Sequence, residues 1–252
     1  MSEPTTSDAF LGGRLLLRQP ARGHRAGTDA ALLSAALPGT FAGACADLGA
    51  GIGAAGLALA VRAPAARVTL VESEAAIAAL ARANVEANGL AGRVDVLEAD
   101  VTLAGRARVA AGLADRAYDA VITNPPFLEA GAARLSPSAY RVKAHVGDKD
   151  LLARWIRTAA AILVPGGVLV VIHRADALPR LLAECDGRFG SVEVLPVLPR
   201  RDQPATRILM RAIRGSRTPF RLLPPLILHE GAGFTPEAAA LHNGEASLPW
   251  SG

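Results

Sequence analysis

The sequence predicts an open α/β fold, a mostly parallel sheet with helices on both faces. Three observations carry that expectation. Between Ala44 and Glu184, short apolar and β-branched runs alternate with longer amphipathic ones, the pattern of βαβ units. The first such run ends in a glycine turn, Asp47-Leu48-Gly49-Ala50-Gly51-Ile52-Gly53. A later one, Tyr118 to Thr123, ends in Asn124-Pro125-Pro126-Phe127, which can continue neither a helix nor a sheet ladder. Open α/β sheets bind ligands beyond the carboxyl ends of their strands, where both turns fall.

Residues 1–9 are polar and are read as a disordered N-terminus, without the basic flank and apolar core of a signal peptide. Residues 10–40 are read as a cap or lid segment. Gly12 to Pro20 suggests a hairpin arm. Thr28 or Asp29 is placed to N-cap a helix from Ala30 to Leu37. His24, Arg25, Thr28 and Asp29 concentrate hydrogen-bonding groups in one short loop, as a lid over a cofactor does.

The core domain spans 41–221. Its first strand begins at Ala44, and a helix from Ala54 to Arg62 follows the glycine turn. Gly51, Gly53 and Gly56 satisfy a G-x-G-x-x-G spacing shared by NAD enzymes and S-adenosylmethionine (SAM) enzymes. Asp47 discriminates between them: a carboxylate just before the turn attracts the ammonium of SAM and repels a pyrophosphate. The strand from Arg67 to Glu72 ends in an acid about 20 residues after the glycines, suited to accept both hydroxyls of a ribose. A helix from Glu74 to Asn88 stops at Asn88-Gly89. After the strand Val94 to Glu98, Asp100 stands either to receive an adenine amine or to cap a helix in 103–113.

Residues 128–147 lack periodicity and contain Arg134, Arg141, Lys143 and His145, which suggests a flap over a substrate. A helix from Asp148 to Leu163, a Pro165-Gly166-Gly167 turn, a strand from Val168 to Ile172 and a helix from Leu178 to Glu184 follow. Ser191 to Leu198 and Ala205 to Ile213 read as a closing antiparallel pair. Seven arginines between Arg200 and Arg221 stud this region, read as a phosphate-contacting stripe in preference to a solvated rim. Residues 222–252 form a tail of unassigned role.

The chain of 252 residues carries a net charge of +4, and all its basic residues except Lys143 and Lys149 are arginine, the side chain whose fork suits phosphate. Two cysteines make no disulfide or metal framework, and His229-Glu230 lacks the second histidine of a zinc site. No metal is expected. No apolar run reaches the roughly 18 residues of a spanning helix, so a cytoplasmic, membrane-free chain is expected.

The order Asp-x-Gly-x-Gly-x-Gly, strand-terminal acid, Asp, then Asn-Pro-Pro-Phe resembles the SAM-dependent methyltransferases of amino groups. Gly12-Gly13-Arg14 and His24-Arg25-Ala26-Gly27-Thr28-Asp29 extend the resemblance, out to about residue 214, to the bacterial tRNA1(Val) adenine-37 N6-methyltransferases. The resemblance implies a Rossmann-like class I methyltransferase with a seven-stranded sheet. It implies that Asp47, Gly49 and Gly51 bind the methionine part of SAM, Glu72 the ribose and Asp100 the adenine, with Thr28 and Asp29 closing over the cofactor. It implies an acceptor site made of Asn124, Pro125 and Phe127, where many relatives carry Tyr in place of Phe. Two carbonyls, from the Asn124 side chain and the Pro125 backbone, suit the two N–H groups of an exocyclic amine, and Phe127 suits stacking on a base. Arg134, Arg141, Lys143, Arg201, Arg207 and Arg211 are the candidates for holding RNA, tRNA first. The competing readings are a release-factor glutamine methyltransferase, a methyltransferase of an rRNA or DNA amine, a NAD-dependent oxidoreductase, and a non-catalytic RNA-binding module.

Overall fold

A computed structural model describes residues 4–21, 27–126 and 150–250. The chain opens with a hairpin, β1 (Thr5–Phe10) against β2 (Leu15–Pro20). This overturns the disorder expected for residues 5–9. Gly12 and Gly13 both take positive φ, so the chain reverses tightly, and Phe10, Leu15 and Leu17 turn into the core. The polar residues of β1 find partners as well: Asp8 Oδ2 accepts from Gln19 Nε2 at 2.8 Å.

α1 (Thr28–Ala35) leads to β3 (Ala44–Leu48), α2 (Ala54–Arg62), β4 (Arg67–Glu72), α3 (Ala75–Ala87), β5 (Val94–Glu98), α4 (Gly105–Ala110) and β6 (Tyr118–Thr123). After the 127–149 segment come α5 (Leu151–Ile162), β7 (Leu163–Arg174), α6 (Leu178–Cys185), β8 (Phe189–Leu198) and β9 (Arg207–Arg214). The tail adds β10 (Arg221–Leu222), β11 (Leu226–Ile227), β12 (His229–Glu230), β13 (Gly233–Phe234) and α7 (Pro236–His242).

The main sheet runs β10-β8-β9-β7-β6-β3-β4-β5, with β11 also on β8. β3 to β7 are mutually parallel, and β9 lies antiparallel between β7 and β8. The seven strands β3 to β9 are those read from the sequence, and two short tail strands bring the total to nine. β7 starts earlier than expected: Pro165-Gly166-Gly167 sits inside the strand at a register shift instead of preceding it. One face of the sheet packs on the hairpin, α1, α2, α3 and α7, the other on α5 and α6. Cys45 and Cys185 are buried, and burial pushes both thiols up, Cys185 to about 12, so both are inert packing groups.

Two asparagines, Asn84 on α3 and Asn88 at its C-cap, hold the hairpin. Asn84 is fully buried; its Oδ1 accepts from Arg18 N (2.7 Å) and its Nδ2 donates to Arg18 O and Ile52 O, both at 3.0 Å. One helical turn on, Asn88 makes the same pair of bonds with Leu16 N and O. Spaced four apart on the helix, the two amides match residues two apart on the strand and serve it as a neighbouring strand would. Asn84→Ala leaves three partly buried backbone groups without this partner and empties a buried site on α3. It is expected to lower stability by about 2–3 kcal/mol, or about 5–10 °C in a thermal unfolding experiment.

The C-terminal segment completes α1, which has no glycine to close its end. Ser34 O and Leu37 O accept from Arg62 Nη1, Ala35 O from Leu248 N and Ala36 O from Trp250 Nε1. Tertiary partners thus satisfy the carbonyls that a helix leaves open.

Candidate active site

The carboxyl ends of β3, β4, β5 and β6 lie side by side on one sheet edge, because these strands are parallel neighbours. The glycine turn leaves β3 there. Gly49 N and Ala50 N donate to Val71 O at 2.9 and 3.0 Å, which folds the turn over β4. At Gly49, φ is +71°, and an added Cβ would stand 2.7 Å from Cζ2 of Trp155. The glycine therefore serves both backbone conformation and close approach. Gly56 serves contact alone, since a Cβ there would meet Leu70 on β4. Over Gly51 nothing stands within 4 Å of such a Cβ, so this part of the turn is open.

Asp47 lies beneath the turn, 2% exposed, with Oδ2 accepting from Gly56 N at 2.9 Å. Burial, with the nearby charge of Glu72, raises its carboxyl from 3.8 to about 7. Asp47 thus braces the turn from below. Glu72 ends β4 as expected, and its carboxylate is fixed by three backbone amides. Oε2 accepts from Gly51 N (3.0 Å), and Oε1 from Ser73 N (2.8 Å) and Glu74 N (2.9 Å). These bonds fix the carboxylate at the strand end and leave Oε2 with a lone pair for a further donor. Asp100 is exposed at the end of β5, and its Oδ1 accepts from Thr102 N and Oγ1, each at 2.7 Å. It therefore makes a local turn and caps no helix, because α4 begins only at Gly105.

Asn124 follows β6 directly. Its Oδ1 is buried and has no hydrogen-bond partner among the described residues. Buried polar atoms usually have a partner, so this oxygen calls for an explanation. Pro125 is buried beside it, while Phe127 lies outside the described residues. So do Arg134, Arg141, Lys143 and His145, and with them the expected flap, as well as His24 and Arg25.

α1 is capped by Gly27, without a side-chain cap bond, so neither Thr28 nor Asp29 acts as the N-cap. Asp29 instead pairs with Arg207, Oδ2 to Nε 3.0 Å. Arg211 and Arg221 flank the buried Glu193, each at 3.0 Å, and Arg214 donates to Leu163 O. Much of the expected arginine stripe is thus engaged within the fold. The physical reason is that a carboxylate buried in the closing strands needs cations beside it. Arg201 is exposed on the loop between β8 and β9 and stays available to a ligand.

Thr123 was read in the sequence only as the end of its strand, and Trp155 and His173 at this edge were not singled out. Thr123 Oγ1 donates to Leu48 O at 2.7 Å, and Trp155 Nε1 donates to Thr123 Oγ1 at 2.8 Å. His173, buried near the end of β7, is lowered to about 4 by burial and is neutral at physiological pH. The amphipathic spacing of α5 marks Trp155 as inward-facing, but nothing local marks its partner.

The methyltransferase small domain model matches residues 24–196. A tRNA1(Val) (adenine(37)-N6)-methyltransferase of Porphyromonas gingivalis is 30% identical over 247 residues, 93% of either chain. Its namesake from Aeromonas hydrophila is 33% identical over 196 residues, 76% of this chain and 77% of its own. A solved structure from Agrobacterium tumefaciens, described as a predicted O-methyltransferase, superimposes with a TM-score of 0.76 at 40% identity, covering 87% of this chain and 98% of that one. The 16S rRNA N2 G1207 methyltransferase of T. thermophilus, solved with S-adenosylmethionine and guanosine, superimposes with a TM-score of 0.57 at 26% identity, covering 83% of this chain and 50% of its own. The sheet described above is the class I methyltransferase fold.

Proposed function

We propose that the chain, which belongs to the methyltransferase small domain family and is a SAM-dependent methyltransferase, acts on adenine N6 of a tRNA in the cytoplasm. The observation that carries this reading is the buried Asn124 Oδ1, which has no hydrogen-bond partner among the described residues. A carbonyl oxygen recognises a donor, and an exocyclic amine brings two N–H groups to one nitrogen. The relatives named for adenine-N6 transfer support that acceptor over a hydroxyl.

The residues present fit SAM. Gly51 leaves open space at the turn, Glu72 offers a lone pair held in place by amides, Asp100 presents a carboxylate, and Asp47 adds negative charge beneath. When bound, SAM supplies a methyl group on a positively charged sulfur. Asn124 Oδ1 and the Pro125 carbonyl accept from the two N–H groups of the amine. Those bonds direct the nitrogen lone pair, which the adenine ring otherwise delocalises, towards the methyl carbon, so that positioning carries much of the rate. Phe127 stacks on the base, and a nucleotide in an RNA loop reaches the site at less cost than one in a duplex. Arg201, with Arg134, Arg141 and Lys143, contacts the RNA backbone. Thr28 and Asp29 close the N-terminal side, tied to β9 through Arg207.

The deciding experiment supplies labelled SAM with three acceptor pools: tRNA from cells lacking the gene, ribosomal RNA, and release factors. Label in tRNA is expected. Label confined to protein would favour the glutamine-amide reading, since an amide offers the same pair of N–H groups, and label confined to ribosomal RNA would move the substrate there.

Asp47 makes cofactor binding pH-dependent. A cationic group arriving at this edge favours the ionised carboxylate, so below about pH 7 binding releases a proton. Affinity for SAM is expected to rise from about pH 6 to about pH 8, and Asp47→Asn to flatten that rise, measured by calorimetry in buffers of different ionisation enthalpy. For the free protein the sign reverses. The carboxyl is raised from 3.8 to about 7, so the native chain holds a proton that the unfolded chain has lost. Its contribution to stability falls as pH rises through that window and stays low above it.

A further inference from the structure

We infer that Trp155 and Thr123 are positioning residues that set the spacing between the cofactor turn and the acceptor turn. The inference rests on the reading of Gly49–Gly53 as the cofactor turn and of Asn124–Phe127 as the acceptor turn. Leu48 and Thr123 are register partners on neighbouring parallel strands, and each is the last residue before its turn. The backbone ladder ends at this pair. Beyond it no backbone hydrogen bond among the described residues joins the two turns, so side chains are left to fix their separation.

A single chain of hydrogen bonds does so. The Thr123 hydroxyl donates to Leu48 O, the last carbonyl of β3, and the indole N–H of Trp155 donates to that hydroxyl. Thr123 is fully buried and Trp155 is 5% exposed, so water does not compete for these bonds. The same indole presses its ring edge against Gly49, at a distance that excludes any Cβ there. Trp155 thus touches the first glycine of one turn while holding the residue before Asn124 of the other. α5, anchored by Ile156, Ala159 and Ile162 in the core, supplies a rigid base for both contacts. Methyl transfer in line is sensitive to displacements well under 1 Å, so a bridge of this kind acts on the rate more than on the affinity of either subsite.

The test uses Thr123→Val, which removes the hydroxyl at equal volume, Trp155→Phe, which keeps an aromatic ring and removes the donor, and Thr123→Ser, which restores the hydroxyl. Thr123→Val and Trp155→Phe are each expected to lower kcat about tenfold, with KM for SAM within about twofold of wild type. The double variant is expected to be no worse than the poorer single one, because both remove one bridge. Thr123→Ser is expected to restore kcat. Single variants within about twofold of wild type in kcat, or equal losses in kcat and SAM affinity that Thr123→Ser does not repair, would overturn the proposal.

A second readout is independent of the acceptor. In Trp250→Phe the indole of Trp155 is the sole tryptophan. Its emission is expected to shift when S-adenosylhomocysteine fills the cofactor turn, and to start further to the blue when Thr123→Val removes the indole's partner. Emission unmoved by both changes would also overturn the proposal. Should wild type label no tRNA, the acceptor reading fails while this readout still decides the bridge.

Discussion

Asn124→Ala is expected to lower kcat about 10²–10³-fold, the scale of losing one preorganised hydrogen bond at a reacting centre. The same substitution is expected to leave the melting temperature unchanged or slightly raised. Both expectations come from one oxygen. Asn124 Oδ1 is buried without a hydrogen-bond partner among the described residues, so its removal breaks no hydrogen bond there and relieves a desolvation cost. Asn124→Asp keeps an acceptor at the same place, at the expense of a buried charge, and is expected to retain more activity than the alanine variant. Steady-state kinetics beside thermal unfolding read both quantities. A stability loss matching the activity loss would show that Asn124 holds the turn together instead.

The largest expected effect on stability falls on Arg62→Leu. Arg62 is 8% exposed, and its guanidinium reaches four acceptors: Ser34 O, Leu37 O, Ala246 O and Ser247 Oγ. Burial lowers its pKa, so the cation is retained at a cost that these oxygens offset. Leucine fills the volume but leaves three backbone carbonyls unpaired near the end of α1. At about 1 kcal/mol or more for each unpaired carbonyl, a loss of about 3–5 kcal/mol, or about 10–15 °C in melting temperature, is expected. Arg62→Lys is expected to recover little, because a single ammonium cannot reach both groups of acceptors as the planar fork does. Release of residues 246–250 is expected to appear first, as faster proteolysis of the C-terminus.

Residues 62, 84 and 124 also mark what was legible in the sequence. The core strands and α2 are set by local periodicity and by turn residues at their ends, and the bounds of α2, β4, β5 and β6 agree with the expected ones. The Asn-Pro-Pro turn and the acid at Glu72 are likewise local signals at strand ends, and the fold brings both to one edge. Arg62 and Asn84 carry no such signal. Their partners lie at Ala246 and Arg18, 184 and 66 residues away, so an arginine and an asparagine in helices read as ordinary surface residues. The tail was illegible for the same reason, since it folds by answering the open carbonyls of α1. The internal pairing of the arginine stripe was equally illegible. Counting cations along the chain could not show that Glu193 lies buried between two of them or that Asp29 comes to Arg207.

The central claim is that the Asn124 turn methylates an exocyclic amine. Its most direct test is to methylate tRNA from cells lacking the gene with isotopically labelled SAM, digest it to nucleosides and identify the labelled one by mass spectrometry. N6-methyladenosine is expected, absent when the enzyme carries Asn124→Ala. Label on a ribose hydroxyl or a ring nitrogen, or N6-methyladenosine formed equally well by the alanine variant, would contradict it.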